Sequence, residues 1–182
     1  LQTADKEYIL WKEEETGGES RRNPGVPVWR KNGIQHFGRR KETINMNLGK
    51  LYLIPSPLGE NDPAEVIPAP VLKSLEGFRT FVVEEVRTAR RYLSKAGLKG
   101  KIGELQFFEL NEHTDQATIE GYLKLFAEGN DVALISEAGL PAVADPGAQL
   151  VALAHRHGIE VVPAVGPSSL MLALMASGLN GQ

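Results

Sequence analysis

The chain has 182 residues, 42% of them apolar and 24% charged, enough for one packed domain with a tail. It contains no cysteine, which excludes disulfides and thiolate metal sites, and no apolar run approaches the roughly 18 residues that a membrane span needs. The net charge of −3 is unevenly split: residues 1–47 carry nine Lys/Arg against seven Asp/Glu, and residues 48–182 carry eleven against sixteen. An acidic body argues against a wholesale electrostatic grip on nucleic acid and leaves room for local basic stripes.

Residues 1–47 keep no apolar period. They hold Glu13-Glu14-Glu15, Gly17-Gly18, Asn23-Pro24-Gly25 and Arg39-Arg40-Lys41, with Trp11, Trp29 and Phe37 scattered among them. So little apolar surface predicts a disordered or loosely attached extension. The first residues are charged, unlike a signal peptide. Met46 is the first methionine and reads as a natural start, with an extension of another origin before it.

From Leu48 the pattern becomes regular. Lys50-Leu51-Tyr52-Leu53-Ile54 predicts a strand stopped by Pro55, and a helix is expected within Asp62–Leu75, beginning near Pro68 or Pro70. Arg79–Glu84 is a second strand, rich in β-branched and aromatic residues, and a helix follows from Val86 to Ala96, stopped by Gly97. Leu105–Phe108 is a third strand. The next helix starts at Thr114-Asp115 and runs through Phe126, with Ile119, Tyr122, Leu123 and Phe126 on one face and Gly129 ending it. Asp131–Ile135 is a fourth strand, Asp145-Pro146 opens a helix to His157, and Ile159–Val162 is a fifth strand. A last helix spans Ser168–Ala176 before Gly178. Strands alternating with helices predict an α/β fold, an open and mainly parallel sheet of about five strands with flanking helices.

Right-handed crossovers put the loops after the strands on one edge of such a sheet, where small ligands bind. Three of these loops are rich in glycine and proline: Pro55–Gly59, Ser136–Gly147 and Val165–Ser169. The second is longer than a βα turn needs, which favours a ligand role over a structural crossover. Within it Glu137 offers a carboxylate to hydroxyl or amino groups, while Asp145 is read as a helix cap. The third loop ends at a helix N-terminus, where free amides attract an oxygen or are simply capped by Ser168. Glu84 and Glu85, at the end of the second strand, are candidates to share one proton as an acid–base pair. Arg87, Arg90 and Arg91 follow at i, i+3 and i+4 and are expected on one face; a solvated, ion-paired helix is the alternative. No metal site is expected, since His155 and His157 fall on different helix faces, and Asn111-Glu112-His113 reads as a turn.

In order, these pieces resemble the tetrapyrrole methylase superfamily, whose members use S-adenosylmethionine. The resemblance is carried by Leu51–Gly59, Glu84–Arg90, Ser136–Gly147, Gly166-Pro167-Ser168-Ser169 and Ser177-Gly178-Leu179, and it spans about residues 48–182. The branch it is most similar to methylates a cytidine 2′-O-ribose position of 16S rRNA. That branch usually has Glu-Asp-Thr-Arg where this chain has Glu84-Glu85-Val86-Arg87, and Asp-Ala-Gly-Thr-Pro where it has Glu137-Ala138-Gly139-Leu140-Pro141. A carboxylate is kept in both places and a hydroxyl lost in both.

The resemblance implies a cofactor domain over 48–176 and, at 177–182, the start of a linker to a second domain. It implies that Pro57, Leu58, Gly59, Ser136, Glu137, Ala138, Gly139, Ala142, Pro167 and Ser168 surround S-adenosylmethionine. For such a reaction Glu84 or Glu85 is the expected catalytic base, the spacing and position of Arg87, Arg90 and Arg91 make them the expected RNA-phosphate face, and work in the cytoplasm is expected. Apolar residues near 170–180 suggest a homodimer. A corrin, porphyrin or other small-molecule methyltransferase, and a non-catalytic nucleotide-binding domain, stand as alternatives.

Overall fold

The computed structural model describes residues 47–181 and, before them, Tyr8–Ile9 and Thr43–Ile44. Those two pieces are strands β1 and β2 of the unit Leu1–Met46, paired antiparallel with Tyr8 opposite Ile44 and Ile9 opposite Thr43. The remainder of the expected disordered extension lies outside the described residues.

The second unit, Asn47–Gln182, is built on five parallel strands: β3 (Leu51–Leu53), β4 (Thr80–Val83), β5 (Gln106–Glu109), β6 (Val132–Ile135) and β7 (Val161–Pro163). Their order across the sheet is β5-β4-β6-β3-β7. The chain steps one way from β3 through β4 to β5, then back through β6 to β7. With right-handed crossovers, that reversal puts the first connections on one face of the sheet and the later ones on the other. The side chains follow suit. Phe81 and Val83 of β4 with Ala133 and Ile135 of β6 pack against Leu75, Phe78, Leu93 and Leu98, whereas Val82, Val132 and Leu134 pack against Ile119, Phe126, Leu150 and Leu153. Central strands covered on both faces are apolar throughout, which is why Thr80–Val83 and Val132–Ile135 are buried along their whole length.

Among the described residues six helices flank the sheet: α1 (Pro63–Val66), α2 (Ala69–Ser74), α3 (Val86–Leu93), α4 (Gln116–Gly121), α5 (Gly147–Arg156) and α6 (Ser169–Ser177). The single helix expected within Asp62–Leu75 is two. Asp62 caps α1 through Ala64 N at 2.9 Å, and Ile67 turns extended (φ −115°, ψ 132°) because Pro68 follows it. Helix α3 is shorter than expected, passing at Ser94 into a π-turn that ends beyond Gly97 (φ 103°). Likewise α4 tightens into a 3-10 turn over Tyr122–Gly129, which still buries Tyr122 and Phe126. The fifth strand sits two residues later than expected and takes in Pro163. An edge position tolerates this, because β7 pairs only with β3. Among the described residues no helix is long and apolar enough to cross a membrane.

Phe126 is wholly buried in the cluster beneath α4 and α5. Phe126→Ala is expected to lower the unfolding free energy by about 3–5 kcal/mol, read as a shifted urea midpoint with an unchanged slope.

Candidate functional site

Strands β4, β6 and β3 are neighbours whose outgoing connections leave to alternate faces, so a crevice opens beyond their carboxyl ends. Two loops are tied across it by main chain. Ser56 N donates to Gly139 O at 2.9 Å, Gly139 N donates back to Ser56 O at 3.1 Å, and Ser56 Oγ donates to Ser136 O at 3.0 Å. The third loop closes on the same point. A Cβ on Gly139, whose φ is +73°, would lie 2.9 Å from Leu58 Cδ2 and 3.4 Å from Pro167 O. One on Gly166 would lie 2.2 Å from Pro55 Cβ. Only glycine permits approaches this close. The three loops singled out in the sequence therefore converge.

The structure also supplies a contact that sequence reasoning missed. Tyr92, on the buried face of α3, donates its hydroxyl to Pro55 O at 2.9 Å, and burial pushes its phenol pKa well up. A tyrosine at an apolar helix position needs a partner for its polar tip, and that was the available signal.

Two shallow depressions, of about 230 and 170 Å³, flank the junction of Glu84 with Ser136. The first also touches Ser56, Glu85, Thr88 and Tyr92, and the second Pro141, Asp145 and Gly147. Both are open surface depressions too shallow to enclose a small molecule, as expected of one wall of a cleft.

The acidic groups around them differ in engagement. Glu84 accepts from Glu137 N at 3.3 Å, linking the ends of β4 and β6. Glu85 instead caps α3. It accepts from Arg87 N, Thr88 N and Thr88 Oγ1, each at 2.6 Å, and the Thr88 hydroxyl, followed by the Arg87 amide, holds its carboxyl below the ordinary value. Both Glu85 oxygens are thus engaged by the cap. Asp145 accepts from Ala142 N at 2.9 Å and from Gly147 N at 2.7 Å. Burial raises its pKa, the neighbouring Glu84 charge adds to the rise, and the two amides oppose it.

Arg87, Arg90 and Arg91 are all exposed on α3 and differ in their contacts. Arg90 lies over the Phe107 ring, 5.1 Å from its centroid, while Arg91 Nη2 donates to Thr88 Oγ1 at 3.4 Å and Arg87 is exposed. Asn111, Glu112 and His113 form a turn, with His113 N donating to Asn111 Oδ1 at 3.0 Å. Among the described residues no group of three or more His, Asp or Glu is placed to hold a metal.

Fold and crevice define a doubly wound α/β domain whose crevice edge is built largely from main chain. No family model matches the chain. It is, however, 31% identical over 141 residues to the ribosomal RNA small subunit methyltransferase I of Escherichia coli O157:H7, covering 78% of this chain and 46% of that protein. It is 35% identical over 133 residues to the protein of that name in Neisseria meningitidis serogroup B, covering 73% and 43%. It is 34% identical over 134 residues to the one in Thermotoga maritima, covering 74% and 57%. The chain is a homologue of this methyltransferase family, the branch of the tetrapyrrole methylase superfamily that its motifs resemble. It spans about half the length of these relatives.

The Glu85 cap gives a pH signature. Its pKa in the folded chain lies below the ordinary 4.5, so its stabilisation is present above that value and is lost as pH falls through the folded one. Glu85→Gln is expected to melt earlier than the parent at about pH 7 and to converge with it as the pH falls below the folded-state pKa of Glu85, checked by thermal melts from neutral to acid pH.

Proposed function

We propose that residues 48–176 are the cofactor-binding domain of an S-adenosylmethionine-dependent methyltransferase whose acceptor is a ribose 2′-hydroxyl of ribosomal RNA. In this reading residues 177–182 begin a linker to a second α/β domain. The observation that carries the proposal is the convergence of three loops on Gly139 and Gly166. The names of the relatives support the reaction. The residues present suit the cofactor: close backbone approach for a nucleoside, and carboxylates at Glu84 and Glu137 for hydroxyl and ammonium groups.

The cofactor, when bound, supplies a methyl group already activated on a sulfonium. The chain's part is to align and to exclude water. Leu58 and Pro167 pack about Gly139, and with Pro57, Gly59, Ser136, Glu137, Ala138, Ala142 and Ser168 they make up the proposed cofactor wall. Glu84 is the general base that receives the acceptor hydroxyl's proton. It is preferred over Glu85 because a single amide engages it. Arg87 and Arg91, rather than Arg90, meet RNA phosphate. Helix α6 has no buried residue, with Leu170, Met171, Leu172 and Met175 all at least half exposed, which supports a homodimer as the working form. The enzyme works in the cytoplasm, beside its ribosomal substrate.

Calorimetry on this chain with S-adenosylhomocysteine is expected to give weak but saturable binding, with a dissociation constant on the order of 0.1–1 mM, as suits one wall of a site. No heat beyond dilution at millimolar ligand would overturn the cofactor reading. In the two-domain protein, Glu84→Gln is expected to lower kcat about 100-fold or more while cofactor affinity holds. Separately, Arg87→Ala with Arg91→Ala is expected to lower the slope of log K for single-stranded RNA against log salt by about 1.4, measured by filter binding. An unchanged slope would remove RNA from this face.

A further inference from the structure

Two alanines in the loop after β6 stand in left-handed backbone, Ala142 at φ 65° and Ala144 at φ 57°. A Cβ disfavours this region, and such residues persist only where their surroundings over-determine them. Between and beside them the loop has one strong polar anchor. Asp145 gives one oxygen to Ala142 N and the other to Gly147 N, joining the strained turn to the first residue of α5. The packing there leaves no slack: a Cβ on Gly147 would lie 2.7 Å from Asp145 Oδ1, 2.9 Å from Leu134 Cδ2 and 3.3 Å from Ala142 N.

An ordinary helix cap does not explain this choice of residue. Serine or asparagine caps a helix without a charge. Here the carboxylate is half-buried and lines the same depression as Glu84, Ser136 and Pro141, a costly place for a second negative group. What a carboxylate adds is two acceptor oxygens on one short side chain. Asparagine of the same shape would turn an N–H₂ toward one of the two amides.

We propose that Asp145 is a positioning residue whose carboxylate clamps Ala142 and Ala144 in left-handed backbone and so holds the Ser136–Gly147 loop in its cofactor-receiving shape. The link to the cofactor rests on the function proposed above; the clamp itself does not.

The test compares the parent chain with Asp145→Asn, Ala144→Gly and the double variant. Its readouts are amide hydrogen exchange, thermal midpoint and S-adenosylhomocysteine affinity. Asp145→Asn is expected to speed exchange at the amides of Ala142 and Gly147 and to weaken binding, each by about tenfold or more. Adding Ala144→Gly is expected to recover most of that affinity, because glycine takes positive φ unaided. A cap-only role would lower the midpoint and unprotect the first turn of α5 without touching Ala142, and glycine at 144 would rescue nothing; that pattern overturns the proposal. Should the parent bind no S-adenosylhomocysteine, the cofactor reading falls, and exchange at Ala142 alone decides the clamp: faster in Asp145→Asn supports it, unchanged overturns it. Should Asp145→Asn not fold, Ala144→Gly in the parent decides, a raised midpoint supporting stored strain and a lowered one refuting it.

Discussion

Ser56 and Gly139 exchange two backbone hydrogen bonds, and the geometry of the crevice follows from them. Strands β3 and β6 lie side by side, but their ladder ends with the strands, and the chain leaves them toward opposite faces of the sheet. Without a tie, the two loops would be free to splay. The Ser56–Gly139 pair extends the contact beyond the sheet, now antiparallel, and the buried Ser56 hydroxyl fastens it again at Ser136 O. Leu58 and Pro167 can then lie against Gly139, and Pro55 against Gly166, because neither glycine carries a side chain. Tyr92 anchors the other side of Pro55 from α3. The loops are thus held by main chain and small residues, which leaves polar side chains free to face a ligand.

That arrangement sets how the carboxylates divide their work. Glu84, Glu85 and Asp145 come from two different loops, and like charges near one another in a partly dehydrated crevice raise the cost of ionisation. Glu85 escapes by turning into the N-terminus of α3, where two amides and a hydroxyl receive it. Asp145 is met by two amides of its own loop. Glu84 keeps only the Glu137 amide, at a longer 3.3 Å. Of the three carboxylates, Glu84 is thus the one least engaged by donors, which is the observation behind its proposed role as base.

Much of this fold was legible because its signals are local. Asp115, Ser168, Gly178 and the alternation of apolar strands with amphipathic helices marked elements that the structure confirms, with shifts of a few residues. The errors have physical causes. Asp62-Pro63 is itself a cap and first turn, so the helix before β4 begins early and breaks at Ile67. The fifth strand was expected to end at Val162, whereas it takes in Pro163, because an edge strand needs no N–H from it. At the site, loop position after a strand was enough to bring Leu58, Gly139 and Pro167 together. Side-chain partners were not legible. Spacing at i, i+3 and i+4 groups Arg90 with Arg87 and Arg91, and says nothing of Phe107, which the edge strand sets beneath the Arg90 guanidinium. Nor does any pattern announce that Asp145 spends its second oxygen on Ala142, since that contact depends on a backbone turn of rare sign.

Helix α6 shows how local and tertiary signals part company. It is capped by Ser168 and closed by Gly178 in left-handed geometry, so its ends are well formed. Its body, however, is apolar all round, and Leu170, Met171, Leu172 and Met175 remain 51–79% exposed. A helix of that kind is ordinarily buried on several sides, at roughly 25 cal/mol for each Å² withdrawn from water. Val165 and Leu179, just before and just after it, are 74% and 73% exposed, so the apolar surface extends past both ends. The helix also begins directly after Pro167 and Ser168, and Pro167 abuts Gly139 at the centre of the crevice. The exposed apolar surface of α6 and the loops that converge on Gly139 are therefore joined through Pro167 and Ser168.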